Sequence, residues 1–350
     1  PLNTSLRWET TDQFNVGLDF GFWKNRLNFS ANYYYKKTKD LLQNVSIPLS
    51  TGYSTMWTNF GHVTNKGFEF TANVVAIDNK DWGLNFDGNI SFNQNRIGGL
   101  NADQYATQLW YGANEVFLQR NGLPIGTIYG YVEDGFYDNI AEVRADPIYS
   151  KVSKEEAQRM IGEIKYVDRN GDNQITTEDR AVIGDTNPDF IYGLNANFRW
   201  KKLSLGLFFQ GSQGNDIFNG NLTMIGMNSI GNVTREAYEN RWTPENAANA
   251  KWPRITTAMT RDMKLSDRYV EDGSYFRLKT INLSYNFGSV CKGITDLSVF
   301  GTITNVFTLT NYSWFDPDVN AFGSDASRRG VDIFSYPNSR TYTIGFKLTL

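Results

Sequence analysis

The chain has 350 residues, a formal net charge of −3 and an aromatic content of 15%, a balance with no basic excess to attract a nucleic-acid partner. A single cysteine, Cys291, excludes an internal disulfide, and a single histidine, His62, excludes a multi-histidine metal site. No charged, apolar, small-residue leader follows Pro1 and Leu2, and no apolar run is long enough to cross a membrane as a helix, so any membrane contact is expected to come from strands.

Alternation of period two marks those strands in chain order. Phe14, Val16, Leu18, Phe20 and Phe22 alternate with Asn15, Gly17, Asp19 and Gly21; the chain turns at Lys24, Asn25 and Arg26, then returns on Leu27, Phe29, Ala31, Tyr33 and Tyr35. A second hairpin runs from Phe68, Phe70, Ala72 and Val74 through Asn79, Lys80 and Asp81 to Trp82, Leu84, Phe86, Ile90 and Phe92. The third joins Phe190, Tyr192, Leu194, Ala196 and Phe198 to Leu203, Leu205, Leu207 and Phe209 through Lys201 and Lys202. A fourth pairs Ile281, Leu283, Tyr285 and Phe287 with Leu297, Val299, Gly301 and Ile303, and the chain closes on Tyr342, Ile344, Phe346, Leu348 and Leu350.

The fold class this predicts is all-β: a transmembrane antiparallel β-barrel contributing about nine strands, each of the length a tilted strand needs to cross hydrocarbon. Apolar lipid-facing and polar lumen-facing residues cancel in such strands, which reconciles a mean hydropathy below zero with abundant aromatics and 31 glycines. Phe20, Leu84, Leu194, Leu205, Leu283 and Phe346 are expected toward lipid, and Asp19, Asn85, Asn195, Asn282 and Lys347 toward the lumen. Turns near 24–26, 78–81, 201–202 and 288–294 are short, whereas those spanning 40–65, 95–188, 213–272 and 305–339 are long. Short periplasmic turns alternating with long extracellular loops are a barrel property; a soluble β-sandwich has no reason to sort its loops by length. Trp23, Trp82 and Trp200 each stand beside a short turn, where an interfacial aromatic belt would place them. An odd strand count leaves two open edges in lipid, so the remaining strands and whatever fills the lumen are expected from outside these residues.

The 95–188 loop carries a calcium-like motif. Between Asp168 and Asp179, side-chain oxygens of Asp168, Asn170, Asp172 and Asp179 fall at loop positions one, three, five and twelve, with Gln174 at the backbone-carbonyl position, the arrangement by which a tight turn collects oxygen ligands for Ca2+. Asn173 stands where glycine is usual and Asp179 where glutamate is usual; the alternative is a solvated Asn-Gly turn without an ion. Upstream, Ser153 and Glu156 predict a capped short helix through Met160, with Gly162 as its stop. Trp57, Trp110, Tyr111, Trp242, Trp252 and Trp314 lie in long loops as candidates for contact with a substrate or a partner, against the plainer role of loop packing. No nucleophile elbow, phosphate loop or dinucleotide fingerprint occurs, so no enzyme is expected, although spatially paired carboxylates for glycoside hydrolysis are invisible in one sequence.

Several ordered motifs bring a family into view: Trp8-Glu9-Thr10-Thr11; Tyr33-Tyr34-Tyr35-Lys36-Lys37-Thr38 with Asp40-Leu41-Leu42; Gly122-Leu123-Pro124-Ile125-Gly126; Lys165-Tyr166-Val167-Asp168; Ser274-Tyr275-Phe276-Arg277-Leu278-Lys279; Asp316-Pro317-Asp318; and Tyr336-Pro337-Asn338-Ser339-Arg340. Together they resemble SusC-like TonB-dependent transporters, over essentially the whole chain and in the order of the C-terminal half of that barrel. The resemblance implies the 22-stranded plugged class of barrel, set in the outer membrane of a Gram-negative bacterium and importing nutrients such as oligosaccharides or peptides. It further implies a SusD-like surface lipoprotein over the extracellular mouth and energy from TonB-ExbB-ExbD through an N-terminal TonB box. Neither that box nor the plug domain lies within residues 1–350. Leu350 stands where such barrels often end on an aromatic. A passive porin-like channel and a secreted β-rich glycan-binding module are the alternatives.

Overall fold

The structure, a computed structural model, describes residues 3–46, 49–106, 116–225, 232–256 and 264–350. Nine long strands form one antiparallel sheet in which each pairs with its sequence neighbours. Numbered along the chain, they are β1 (Thr10–Phe22), β2 (Leu27–Lys39), β3 (His62–Asp78), β4 (Trp82–Gly98), β5 (Phe190–Trp200), β6 (Leu203–Gln213), β7 (Tyr275–Gly288), β8 (Asp296–Thr310) and β9 (Thr341–Thr349). The sheet is open, with β1 and β9 at its edges.

Register turns the alternation of each strand into two chemically distinct faces. Phe20 pairs with Phe29 and Phe29 with Ala72, which continues through Gly88 to Leu194 and Phe209; one register position away, Asn73 pairs with Asp87 and Asp87 with Asn195. The apolar face is held by cross-strand ring contacts, including Phe29 with Phe70 at 6.0 Å and Phe209 with Phe276 at 5.6 Å, and such pairs are the unit of sheet stabilisation. The opposite face is stitched by polar pairs such as Asn73 Nδ2 donating to Asp87 Oδ1 at 2.7 Å and Asn282 Nδ2 to Thr302 Oγ1 at 2.7 Å. Many apolar side chains on the first face are exposed, Leu283 at 47% and Phe346 at 74% among them. A soluble protein would hide such a surface; lipid is its natural solvent.

The short turns have local causes. Trp23, Lys24 and Asn25 take left-handed φ angles of 52°, 60° and 62°, reversing the chain between β1 and β2. Between β3 and β4, Asn79 Oδ1 accepts the N–H groups of Asp81 and Trp82. Trp82 and Trp200 stack at 5.8 Å beside the short turns, and with Trp23 they remain exposed as a belt requires.

The expected strands are present but longer than alternation alone indicates. β7 starts at Tyr275 and β8 ends at Thr310, so the last long connection begins at 311 and not 305. The register shifts between Leu278 and Thr280, which puts Leu278 and Ile281 on the same apolar face and hides the period from the sequence.

Candidate functional site

The long connections are folded structures that join one another at one end of the sheet. Within residues 99–189, Thr127–Gly130 pairs with Phe117–Gln119 and with Ala181–Asp185; from the next connection Asp216–Asn219 pairs with Val270–Asp272, and in parallel with Val331–Asp332 of the last. Their shared core gathers Val116, Phe117 and Ile128 from the first, Phe218 and Tyr269 from the second and Val331 from the third. The three segments thus close this core jointly, while the first also forms a smaller cluster of its own around Tyr137, Val143 and Ala157; burying each large apolar side chain contributes about 1.5–3 kcal/mol.

Polar side chains fasten this body to the sheet. Asn95 Oδ1 accepts the Ile125 N–H at 2.7 Å, Asn95 Nδ2 donates to Asn187 Oδ1 at 2.9 Å, and Asn187 Nδ2 donates to the Ile125 carbonyl at 2.6 Å. Ile125 also packs on Val63 and Ile97, which lie on the polar-face register at the ends of β3 and β4. The loop body therefore covers the inner side of the rim. Further round, Arg277 of β7 is fully buried: its Nε donates to Thr308 Oγ1 at 2.9 Å and Nη2 to Asp316 Oδ1 at 2.5 Å. Asp316 also accepts Asn338 Nδ2 and the Asp318 N–H, so one carboxylate gathers both ends of the 311–340 connection onto the sheet.

Burial sets the protonation of several loop groups. The Asp216 carboxyl is pushed above the usual carboxylate range by desolvation, with nearby Asp185 and Asp272 adding to it and the Asp185 N–H opposing it. Tyr137 and Tyr312 are raised first by burial and then by hydrogen bonds to Asp146 and Asp332, which keeps both phenols neutral donors.

The predicted short helix spans Lys154–Met160, its N-cap Ser153 accepting the Glu156 N–H at 3.1 Å. Gly162 ends it at φ 78°, where an added Cβ would stand 2.6 Å from the Trp242 ring. A neighbouring helix, Ile140–Ala145, capped by Asn139, escaped the sequence reading although the Asn-to-Glu142 spacing could have found it.

The aromatic candidates divide. Trp242 and Trp252 are buried; their indole N–H groups donate to Asp138 Oδ1 at 2.7 Å and Glu236 Oε2 at 2.6 Å, and Arg268 lies 5.6 Å over the Trp252 ring. These two side chains pack the loops. Trp314 is half-buried, edge-on to Phe315 at 5.2 Å. Trp57 is 51% exposed on the Thr55–Asn59 strand, and Trp110 and Tyr111 lie outside the described residues. Phe315 and Tyr336, at 65% and 91% exposed, offer open rings that a search for tryptophan missed.

Asp168, Asn170, Asp172, Gln174 and Asp179 do come together in one tight turn. Asp168 accepts the N–H groups of Gly171 at 2.7 Å and Asn173 at 2.8 Å; Asp179 accepts those of Arg169 at 2.9 Å and Thr176 at 2.7 Å. Asn173 takes the left-handed conformation its position requires, φ 61°. Burial alone would raise the Asp179 carboxyl, but the Thr176, Arg169 and Asn170 N–H groups outweigh it and hold it below the ordinary range. Among the described residues no three carboxylate, imidazole or thiol groups converge as a metal cluster, and the side-chain oxygens of Asp168 and Asp179 are turned onto backbone N–H groups of the turn.

Long strands with one face apolar over most of its length, short turns with a tryptophan belt at one end and a folded loop body at the other define part of an outer-membrane β-barrel. The chain belongs to the TonB-dependent receptor-like β-barrel family, whose family model matches residues 2–306. It is 33% identical to TonB-dependent receptor P26 of Formosa agariphila over 100% of this chain and 35% of that protein, and 35% identical to receptor P3 of the same organism over 99% and 34%. To TonB-dependent receptor SusC of Bacteroides thetaiotaomicron it is 28% identical, over 99% of this chain and 32% of SusC. The chain thus spans about a third of the length of the curated relatives it matches. A structure of the RagAB peptide transporter superposes with a TM-score of 0.76 at 24% identity, over 99% of this chain and 36% of that chain, a likeness of fold. TonB-dependent receptors are outer-membrane barrels, and the nine strands described above are a part of one.

Proposed function

We propose that the complete protein is an active nutrient importer, carrying oligosaccharides or peptides through the barrel with a SusD-like lipoprotein at its mouth and TonB-ExbB-ExbD as its energy source. The observation that carries this reading is the loop body: three long connections share one core at a single end of the sheet, which gives a broad, shaped surface for a partner and a substrate. The kinship with SusC supports it. In this reading the loop body is extracellular and the short turns are periplasmic. Cells expressing the full-length protein should take up labelled substrate only while the proton-motive force is intact; uptake that persists with an uncoupler would make the protein a passive porin-like channel. Cross-linkers placed at Trp57 or Tyr336 should capture the lipoprotein, and capture through Asn25 or Lys201 alone would reverse the orientation.

The same reading includes one structural Ca2+ held by Asp168, Asn170, Asp172, Gln174 and Asp179, supported by the spacing of their oxygens. Asp168→Ala with Asp172→Ala, or chelator on the unmutated protein, should expose residues 166–183 to proteolysis while the strands persist. Equal protection with calcium, with chelator and in the double variant would leave a solvated turn that holds itself by the hydrogen bonds above.

A further inference from the structure

Charge on the lipid-facing side of the sheet is confined to one corner. In register order, Val16, Tyr33, Phe68 and Phe92 form the last fully apolar row across β1–β4. Toward the loop body follow the rows Phe14-Tyr35-Lys66-Gln94, Asp12-Lys37-Thr64-Arg96 and Thr10-Lys39-His62-Gly98. A Cβ added to Gly98 would stand 2.5 Å from His62 Nε2, so the imidazole lies across that strand on this same face. Four cations, Lys37, Lys39, Lys66 and Arg96, thus meet one carboxylate, Asp12, which Lys39 already holds at 2.5 Å. The same face of β5–β9 finishes at that end on Phe190, Gln213, Phe276, Leu309 and Tyr342, with no charge in any paired outward position; Arg340, just before β9, is turned onto the Asn305 carbonyl.

Anchoring at a membrane boundary does not account for this pattern, because six of the nine strands, β1 and β5–β9, reach the boundary without a cation in any paired outward position. Cations gathered on adjacent strands about 4.8 Å apart repel one another unless an anion lies among them. Beside the patch opens a recess of about 470 Å³, lined by Tyr33, Phe68, Phe92, Lys66 and Arg96, with Asp185 and Asp189 also in its wall. The Asp185 Oδ1 is engaged by the N–H and Nδ2 of Asn187. Lys66 and Arg96 are exposed one and two rows above the aromatic row, the depth at which lipid headgroups meet acyl chains.

We propose that this rim binds the phosphorylated headgroup of an outer-leaflet lipid, with Lys37, Lys66 and Arg96 on the phosphate and Tyr33, Phe68 and Phe92 against the upper acyl chain. The inference rests on the extracellular orientation of the loop body. Cations at a membrane surface attract anionic headgroups, and a guanidinium suits a phosphate in particular.

The test uses the full-length transporter in nanodiscs of zwitterionic lipid doped with a bisphosphorylated glycolipid, and native mass spectrometry to read the lipid retained. The K37Q/K66Q/R96Q variant should retain it on the order of 100-fold less tightly, as should the unmutated protein given the phosphatase-treated lipid. K24Q/K80Q/K201Q, an equal change of charge at the short-turn end, should bind as the unmutated protein does. Full retention by the rim variant, equal retention of the dephosphorylated lipid, or displacement by millimolar inorganic phosphate would each overturn the proposal. Protease access to a tag at 168–179 in whole cells reads the orientation separately.

Discussion

Replacing Asp316 by alanine is expected to destabilise the loop body by about 3–5 kcal/mol, because it strands a buried charge. The Arg277 side chain is 1% exposed, and without Asp316 the nearest carboxylate is that of half-exposed Asp318, 3.7 Å from Nη1. Among the described residues Nη1 makes no hydrogen bond, so only the solvent-screened Asp318 carboxylate stands near to offset the lost partner. Asp316 also holds Asn338 and the Asp318 backbone, so its removal frees both ends of the 311–340 connection. Trypsin should then cut at Arg328 or Arg329 far faster than in the unmutated protein, with the strand signal in circular dichroism retained. Arg277→Met combined with Asp316→Leu removes the charge together with its partner and should recover most of the protection. If Asp316→Ala left the cleavage rate unchanged, the ion pair would not be what holds this loop.

The nine strands were legible because lipid and lumen impose opposite demands on neighbouring residues, and β1 and β9 display this along nearly every position. Legibility failed where geometry departs from strict pairing. The register shift beside Lys279 moves the apolar phase by one residue, so Phe276 and Leu278 read as out of step with Ile281 although they share its face. The loop body was less accessible still. Its core forms among residues as far apart as Val116 and Val331, and its strands are as short as two residues at Val331–Asp332, too brief for any period to emerge. Trp242 and Trp252 show the same blindness: a tryptophan in a long loop reads alike whether it faces solvent or is buried with its N–H on a carboxylate. By contrast, the 168–179 turn was visible as a turn because its polar residues act on the backbone within a few positions.

Leu194→Arg is expected to cost about 2–4 kcal/mol, and Asn195→Arg far less, because adjacent residues of one strand face different solvents. Leu194 lies on the apolar face between Gly88 and Phe209, six residues from belt residue Trp200. Six residues span about 20 Å of strand, or about 15 Å of depth at the usual barrel tilt, which puts Leu194 near the middle of the hydrocarbon. Asn195 points the other way, between Asp87 and Phe208, where an arginine meets a carboxylate and water. Depth supplies the internal control. Gln94 occupies the same face as Leu194 but in the row of Lys66, beyond the apolar band, so Gln94→Arg should cost no more than about 1 kcal/mol. Urea-driven folding of the full-length protein into lipid vesicles would measure all three. The sinking result is an equal penalty for Leu194→Arg and Asn195→Arg, since a barrel wall cannot treat its two faces alike.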